Sequence, residues 1–501
     1  MRNLILNTNR FKSAFFSLVI LLTLASACSP IASATLPPME TEIPSVEEPL
    51  STSTPIPKRA AFEPGTLVEY RAQTGDTLAA VAAHFNTTQK EILEANPQIK
   101  PGVTTFAPGE LLLIPIYYEA LWGSAFQILP DSLFVNGPAQ SGFDVRAYVD
   151  DQPGWLKTYS AFAGNKTRRG GELIEYVALN FSVSPRLLLA LVEYQSGVLS
   201  QVLLPPNLET YPLGFEDQYH KGFYLQLVWA ANALNNGYYS WRNGKLDTIT
   251  HSDGTIEHPD PWQNAATVAL QYYFSLETPV DDYHLAISSD GIFRTYTALF
   301  GDPWSDMKSH IPGDLEQPVM SLPFELGKTW TYSGGPHSAW GEGEPWAAID
   351  FAPPAVVGGC TPSSQFVTAV ADGQIVRSDP AIAVLDLDQD GDERTGWVVF
   401  YLHLGLNDKV RTGVLVKQGA NLGHPSCDGG SATGTHVHIA RKYNGEWMPA
   451  DGVLAFNLEG WVSASGSEPY KGTLTKVGRV VTASTLSDSA SWVTSGKYNP
   501  K

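Results

Sequence analysis

Residues 434–439 read GTHVHI, and this stretch decides the fold expected for the C-terminal part of the chain. Val437 and Ile439 are apolar and β-branched, which favours a β-strand here. Side chains two positions apart project from the same face of a strand, so His436 and His438 are predicted to lie side by side. A lone His-x-His pair is weak evidence for a site, and it indicates metal binding or catalysis only together with further elements of the sequence.

Three further elements precede this pair along the chain. Residues 401–404 (YLHL) predict a second apolar strand, which carries His403, and Asp350 ends a third short apolar run. His337 follows the sequence Gly-Gly-Pro. Three imidazole or carboxylate ligands with one open position are the arrangement of catalytic zinc sites.

Taken together, these four elements resemble the lysostaphin-type zinc endopeptidases, which cut peptide bonds in peptidoglycan. The resemblance implies an antiparallel β-sheet domain over residues 321–470, followed by a C-terminal extension over residues 471–501. In that family, a zinc ion polarises the scissile carbonyl, and two further histidines orient the attacking water and stabilise the oxyanion. Carried over by position, the zinc ligands are His337, Asp350 and His438, and the non-ligand catalytic residues are His403 and His436.

The chain departs from the family pattern between the first His and the Asp, where residues 338–349 form an insertion. The insertion contains Trp340 and Trp346, and we expect it to lie as a flap beside the cleft. His424 is the other nearby candidate for the ligand role of His337, and we interpret it as a loop residue. A zinc-free relic or a structural site is the alternative to a catalytic one.

An acidic stretch over residues 386–392 is predicted at the tip of a β-hairpin. Carboxylates at alternate positions, with Gly391 in the sixth place, resemble the start of a calcium loop. The twelfth position is Trp397 and not the Glu of an EF-hand, so a solvated acidic turn is an equal alternative. The candidate calcium ligands are Asp386, Asp388, Asp390 and Asp392.

Residues 66–116 predict the order strand, helix, helix, strand. With GDTL at residues 75–78, an Asn-Pro pair and LLIP at residues 112–115, this region resembles a LysM domain. LysM domains bind glycans that contain N-acetylglucosamine. Core packing is the alternative role for two of the residues concerned, Leu78 and Ile99. The resemblance places the glycan contacts on Gly75, Asp76, Thr77, Leu78, Asn96, Pro97 and Ile99.

Residues 117–320 predict a mostly helical middle domain. Residues 188–197 (LLALVEYQSG) resemble the catalytic helix of lytic transglycosylases, in which a Glu directly before a Ser supplies the proton for glycoside cleavage. That position is Gln195 here, and Glu193 lies about 200° away around the helix. We therefore interpret the domain as a degenerate glycan-binding fold or a scaffold. An unrelated helical spacer is the alternative.

Basic residues followed by the apolar run over residues 14–27 predict an export signal over residues 1–27. Cys28 follows Ala-Ser-Ala, as in bacterial lipoprotein signals, so we expect Cys28 to be lipidated. Ordinary cleavage after one of the nearby Ala-Ser-Ala sequences is the alternative. Residues 28–65 are rich in Pro, Ser and Thr and predict a semi-extended linker.

The chain has three cysteines, which exclude a Cys-rich zinc module. If Cys28 is acylated, Cys360 and Cys427 remain as a pair that can form a disulfide in an oxidising exterior. Two free buried thiols are the alternative.

Asp and Glu number 51 against 32 Lys and Arg, and the net charge of -19 over 501 residues argues against nucleic acid as a partner. The sequence thus predicts a multidomain α+β protein, exported and lipid-anchored at the extracellular face of the cell envelope. Its expected partner is peptidoglycan, whose glycan would bind to LysM and whose peptide would be cut at the zinc site. The alternative function is a catalytically inactive wall-binding scaffold or an activator of another cell-wall hydrolase.

Overall fold

The computed structural model describes residues 61–117, 122–355 and 357–496. The export signal, Cys28 and most of the linker lie outside these described residues, so their predictions stay predictions. Within the described ranges, no helix has both the length and the apolar character needed to cross a membrane.

The first module has the predicted order of strand, helix, helix and strand. Thr77 and Thr88 begin the two helices, because each hydroxyl accepts a hydrogen bond from a backbone N–H of the first turn. The two strands pair antiparallel, and Val81, Ile92 and Ile114 are buried in the core between the strands and the helices. The elements are β1 (Thr66–Arg71), α1 (Leu78–His84), α2 (Gln89–Ala95) and β2 (Leu111–Ile116).

The middle domain is mostly helical, as predicted, and carries two small hairpins. Its helices are α3 (Asp131–Phe134), α4 (Val145–Asp151), α5 (Gly170–Phe181), α6 (Pro185–Ser196), α7 (Pro206–Thr210), α8 (Phe223–Arg242), α9 (Ala265–Glu277), α10 (Val280–Ala286) and α11 (Ile292–Phe300). The hairpins pair β3 (Ser160–Ala163) with β4 (Lys166–Arg169), and β5 (Ile249–Thr250) with β6 (Ile256–Glu257).

The C-terminal part is an antiparallel β-structure, which confirms the predicted fold class. Its strands are β7 (Thr329–Ser338), β8 (Trp346–Ala352), β9 (Val367–Thr368), β10 (Gly373–Arg377), β11 (Ala381–Asp386), β12 (Trp397–Leu404), β13 (Leu415–Val416), β14 (Asn421–Gly423), β15 (Val437–Tyr443), β16 (Glu446–Trp447), β17 (Asn457–Leu458), β18 (Trp461–Ser465), β19 (Gly472–Lys476), β20 (Arg479–Thr482) and β21 (Trp492–Thr494). The main sheet has the order β13-β10-β11-β12-β15-β8-β7-β21, and β16 pairs with β15.

A four-stranded sheet with the order β17-β18-β19-β20 follows the main sheet along the chain. The residues assigned from sequence to a C-terminal extension contribute β19, β20 and β21. Because β21 pairs with β7, this segment completes the edge of the main sheet.

Both faces of the main sheet are covered, which explains why its strands read as continuous apolar runs and not as alternating ones. On one face, Ile349, Tyr401 and Ile439 belong to the core of the sheet domain itself. On the other, Phe400 and Ala440 join the hydrophobic core of the middle domain. The helical domain and the sheet therefore share a core.

A buried ionic cluster also joins the domains. Arg242 at the end of α8 contacts Glu446 of β16 at 3.0 Å, and His310 contacts the same carboxylate at 2.6 Å. Arg242 also donates a hydrogen bond to the carbonyl oxygen of Thr74 in the first module. Since the charges are buried together, each depends on its partners for compensation.

Candidate metal centre

Three neighbouring strands bring the predicted zinc ligands together. His337 lies on β7, Asp350 on β8 and His438 on β15, and His438 stands directly opposite Asp350 in the register. All three are buried, with exposed fractions between 2% and 6%. The period-2 geometry of antiparallel strands therefore places their side chains in one cluster.

The three candidate ligand atoms form a nearly equilateral triangle. His337 Nε2 lies 3.0 Å from His438 Nδ1, and each nitrogen lies 3.3 Å from Asp350 Oδ1. In a tetrahedral site with metal–ligand bonds of about 2.0–2.1 Å, ligand atoms lie about 3.3–3.4 Å apart. Asp350 Oδ1 is buried and accepts no hydrogen bond from the described residues. The donor set and its spacing fit a zinc ion.

Backbone carbonyls orient both histidine ligands. The carbonyl oxygen of Gly335 lies 2.8 Å from His337 Nδ1, and that of Ala339 lies 3.0 Å from His438 Nε2. A carbonyl accepts only, so the ring proton belongs on the nitrogen that faces it. The opposite nitrogens, which point at Asp350, then keep free lone pairs for a metal.

Electrostatics keep Asp350 ionised in spite of its burial. Burial disfavours the ionised carboxylate, but its electrostatic interactions with the neighbouring imidazoles of His337 and His436 outweigh burial and hold the pKa of Asp350 well below its usual range. Burial likewise opposes charge on His337, and the neighbouring carboxylate more than compensates and raises the pKa of His337. Asp350 is thus an anion that can balance part of the charge of a cation.

His403 and His436 lie beside the triangle with ring centroids 4.4 Å apart. Each has Nδ1 at 2.7 Å from a backbone carbonyl, of Asp428 and Gly434 respectively, which leaves the Nε2 lone pairs available. Burial and the neighbouring histidines lower the pKa of His403 to about 4, so its ring is neutral near pH 7. A neutral imidazole can accept a proton.

Tyr470 is a residue of this cleft that the sequence did not reveal. The cleft has a volume of about 860 Å³ and contains all five predicted residues together with Tyr470. The phenol ring stacks on His337 at 4.0 Å, and burial with the nearby Asp350 raises the pKa of Tyr470. Its O–H is therefore a potential hydrogen-bond donor. No local motif marks it, because it lies in a loop.

The insertion between His337 and Asp350 packs against the middle domain and is not a free flap. Asn232 and Asn236, one turn apart on α8, accept hydrogen bonds at 2.9 and 2.7 Å from the backbone N–H groups of Glu342 and Glu344. Ala339, at the start of the insertion, contacts His438. A continuous path thus leads from α8 to a candidate metal ligand.

His424 lies outside the cluster, as predicted. Its Nδ1 lies 2.9 Å from the carbonyl oxygen of Gln365 in a neighbouring loop.

A disulfide joins Cys360 and Cys427, which confirms the predicted pair. It connects two loops beside the cleft, whose lining includes the adjacent Gly359.

The acidic stretch forms a loop between β11 and β12, at the predicted hairpin tip. One carboxylate oxygen each from Asp386, Asp388 and Asp390 lies within 4.8 Å of the others. Asp392 instead pairs with Arg394 at 2.6 Å. Burial and the adjacent carboxylates raise the pKa of Asp386 to about 6.

The predicted glycan contacts of the first module are mostly covered. Asp76 accepts hydrogen bonds from Tyr70 and from the backbone N–H of Gln73, and Asn96 bonds to the backbone of the second strand. A Cβ added at Gly75 would lie 3.0 Å from Arg242 of α8. Gly75, Asp76, Asn96 and Ile99 are buried, Thr77 and Leu78 are partly buried, and Pro97 is exposed.

In the middle domain, Gln195 lies near the end of α6 and is partly buried. Glu193 accepts a hydrogen bond at 2.7 Å from the backbone N–H of Leu199, so its carboxylate holds the turn that follows α6. The transglycosylase resemblance stays an interpretation of this helix.

Two family models match the chain. The LysM domain model matches residues 70–115, and the model of the LasA N-terminal domain matches residues 127–314. The second match gives the middle domain a family that the sequence patterns did not identify.

Curated relatives extend the similarity to the C-terminal part. The chain is 25% identical to Protease LasA of Pseudomonas aeruginosa over 343 residues, covering 65% of this chain and 76% of that protein. It is 30% identical to Beta-lytic metalloendopeptidase of Achromobacter lyticus over 161 residues, covering 30% of this chain and 39% of that protein.

Similar solved structures include the M23 metalloprotease pseudoalterin, with 26% identity, a TM-score of 0.29, and coverage of 33% of this chain and 96% of that one. Another is the catalytic domain of lysostaphin from Staphylococcus simulans, with 23% identity, a TM-score of 0.18, and coverage of 25% and 89%. The chain thus contains a LysM domain and a LasA N-terminal domain, and it is homologous to Protease LasA.

Proposed function

We propose that this protein is a zinc endopeptidase that hydrolyses peptide bonds in the stem peptides or cross-links of peptidoglycan. The observation that carries the proposal is the triangle of His337, Asp350 and His438, whose edges of 3.0 to 3.3 Å match a tetrahedral zinc site. Homology to LasA and to Beta-lytic metalloendopeptidase supports peptidase chemistry at this site.

The residues of the cleft suit hydrolysis of a peptide. A zinc ion held by the triangle would supply Lewis-acid polarisation of a carbonyl. His403, neutral because of its lowered pKa, can take a proton from the attacking water, and His436 helps to orient that water. The Tyr470 O–H can donate a hydrogen bond to the oxyanion as negative charge develops.

The LysM domain would hold the glycan while the sheet domain cuts the peptide. The match over residues 70–115 supports glycan binding. Since Pro97 is the exposed member of the predicted contact set, a glycan would reach this residue first. Binding is measured by co-sedimentation of the full chain with insoluble peptidoglycan, and undiminished sedimentation of Pro97→Asp would contradict a contact at Pro97.

Metal analysis together with wall clearing tests the proposed activity. We expect one zinc ion per chain, clearing of peptidoglycan by the parent, and loss of both in His438→Ala. His284→Ala, which removes an exposed histidine of α10, is the matched control and should behave as the parent. Wall binding without clearing by the zinc-loaded parent would favour the scaffold or activator function instead.

We also propose that Cys28 anchors the protein to the outer face of the membrane through a lipid. The lipoprotein-like sequence before Cys28 and the linker after it support this. Cys28→Ser should move the protein from the membrane fraction to the soluble fraction. Equal partitioning of the mutant and the parent would mean ordinary secretion.

A further inference from the structure

The loop between β11 and β12 holds a group of carboxylates that the proposed peptidase chemistry does not use. Oxygens of Asp386, Asp388 and Asp390 lie within 4.8 Å of one another. Three carboxylates at this spacing repel one another unless a cation or a proton compensates them. Asp388 and Asp390 are exposed, so water could solvate them, and the decisive residue is Asp386.

Asp386 is fully buried, with 0% of its surface exposed. Its Oδ2 accepts a hydrogen bond at 3.0 Å from the backbone N–H of Gly391, but its Oδ1 is buried without a hydrogen-bond partner among the described residues. Removing a carboxylate oxygen from water without a partner is costly. A cation between the three carboxylates would provide the missing compensation.

The loop is shaped for a cation that prefers oxygen ligands. Its carboxylates occupy the first, third and fifth positions, and Gly391 in the sixth has a φ of +89°, which allows the sharp turn. The arrangement matches the first half of a calcium loop. Because Trp397 occupies the twelfth position, the bidentate carboxylate that completes a tight site is missing.

We propose that this loop binds one calcium ion through Asp386, Asp388 and Asp390. Water completes the coordination, and the reduced ligand set gives a dissociation constant of about 10⁻⁴–10⁻³ M, the range of extracellular calcium modules. The site is separate from the zinc triangle and does not depend on the proposed peptidase activity.

The bound ion also strengthens the contact between the sheet and the middle domain. Directly after the three ligands, Asp392 accepts a hydrogen bond from the Ser141 hydroxyl at 2.8 Å. Arg394 donates to the carbonyl oxygen of Gln140 at 3.0 Å. A calcium ion that orders residues 386–390 therefore also holds the part of the loop that touches the middle domain.

Terbium luminescence on the zinc-loaded full chain tests binding. Trp397 at the end of the loop can sensitise bound terbium, and we expect calcium to displace it at millimolar concentration. Asp388→Asn removes an exposed ligand without disturbing the core and should lower the affinity at least tenfold. The control Asp306→Asn removes an exposed carboxylate elsewhere and should bind as the parent. Equal binding by Asp388→Asn and the parent, or no displacement by 10 mM calcium, would overturn the site.

Thermal unfolding and hydrogen exchange provide independent readouts. Saturating calcium should raise the Tm of the parent by about 1–3 °C. It should also slow exchange several-fold in peptides covering residues 138–144 and 386–396. Asp386→Asn should not respond to calcium, and Asp388→Asn should need at least tenfold more calcium than the parent for the same response. An equal response to magnesium would contradict a calcium site, because magnesium requires a tighter octahedral arrangement.

Discussion

The helix α6 and the strand β15 each carry a sequence that resembles part of a hydrolase active site, but they differ in how many other elements bring side chains to the same point. Around β15, side chains from β7, β8 and β12 converge on one cleft. On α6, the position that resembles a catalytic acid holds Gln195, and the carboxylate of the nearby Glu193 accepts a hydrogen bond from the backbone of the turn that follows the helix. A reactive site needs several elements that deliver complementary groups to one point, and a helix with the right motif does not provide this by itself.

The middle domain nevertheless contributes to the candidate metal centre. Asn232 and Asn236 hold the insertion, and the insertion presents the carbonyl of Ala339 to His438. Substitution of a group that orients a metal ligand typically lowers metal affinity or activity by about 10–100-fold. We call the cleft around β15 the reactive part of the molecule and the middle domain, which includes α6 and α8, the supporting part.

The largest effect is expected when the reactive part loses a ligand. Asp350→Ala removes one corner of the triangle and leaves two buried imidazoles without their counter-charge. We expect loss of the metal and a fall in wall-peptide hydrolysis of about 10³-fold or more. Metal content by mass spectrometry and release of new amino groups from peptidoglycan measure the two effects. Retained zinc with full activity would exclude Asp350 as a ligand.

Substitution of a non-ligand histidine should separate chemistry from metal binding. His403→Gln removes the proton acceptor while the triangle stays intact, so zinc content should remain at the parental value. The value of kcat should fall about 10²–10³-fold. If zinc were lost together with activity, His403 would belong to the ligand set.

A smaller effect should follow when the supporting part is altered. The double substitution Asn232→Ala and Asn236→Ala releases the insertion and with it the carbonyl that orients His438. Zinc affinity should fall about 10-fold, as measured by competition with a chromogenic chelator. Asn207→Ala on the exposed helix α7 is the matched control. Unchanged zinc affinity in the double variant would mean that the middle domain stabilises the fold and does not influence the metal site.

The contact of the middle domain with LysM should respond to pH. His84 of α1 stacks on Trp241 of α8 with ring centroids 3.6 Å apart, and burial lowers the pKa of His84 to about 4, with Arg242 nearby contributing. An unfolded histidine titrates near about 6.5. The folded state binds this proton less readily, so its stability is complete above that value and falls as the pH decreases towards 4.

Replacement of His84 by Gln should remove this dependence. Between pH 7 and pH 4, the parent should lose about 3 kcal/mol of unfolding free energy through this group, and His84→Gln should lose less by that amount. Chemical denaturation at both pH values measures the difference. Identical pH profiles of the parent and the variant would contradict a role of His84 in the contact.

The smallest effect is expected for Gln195→Glu, which places an acid at the position that the transglycosylase resemblance marks. Because one carboxyl group does not make a glycosidase site without further groups converging on the same point, we expect no cleavage of glycan strands and a near-parental Tm. Analysis of the released muropeptides detects any new glycan ends. New glycan ends would show that the middle domain is a degenerate enzyme that lacks only its catalytic acid.

Much of the candidate site follows from sequence because its geometry is local. The spacing of two between His436 and His438 predicts that both side chains project to the same side, and in the structure His438 lies on β15 while His436 directly precedes it. The apolar runs around Asp350 and His403 place each on a strand in the same way. What such patterns do not specify is which strands are neighbours, and the order β12-β15-β8-β7 comes from the packing of the whole sheet.

Other features could not be predicted from the sequence because they depend on contacts between distant segments of the chain. Tyr470 enters the cleft through a loop without a motif, and its contact with His337 joins positions far apart in the chain. The strands of the C-terminal segment are short, and β21 is stabilised by pairing with β7. The order of elements in LysM was predictable, but the cover over Gly75 by Arg242 belongs to another domain.

The sequence by itself determined the order of elements in LysM, the residue types that meet in the candidate metal centre and the pair of cysteines that form the disulfide, because these depend on local periodicity, motif and parity. Only the tertiary structure decided that the insertion lies on α8, that the sheet shares a core with the helical domain, and that the Asp386 carboxylate is buried with an oxygen left unpaired. The physical reason is that burial and hydrogen bonding between distant segments depend on how the whole chain packs, and local sequence patterns do not specify them.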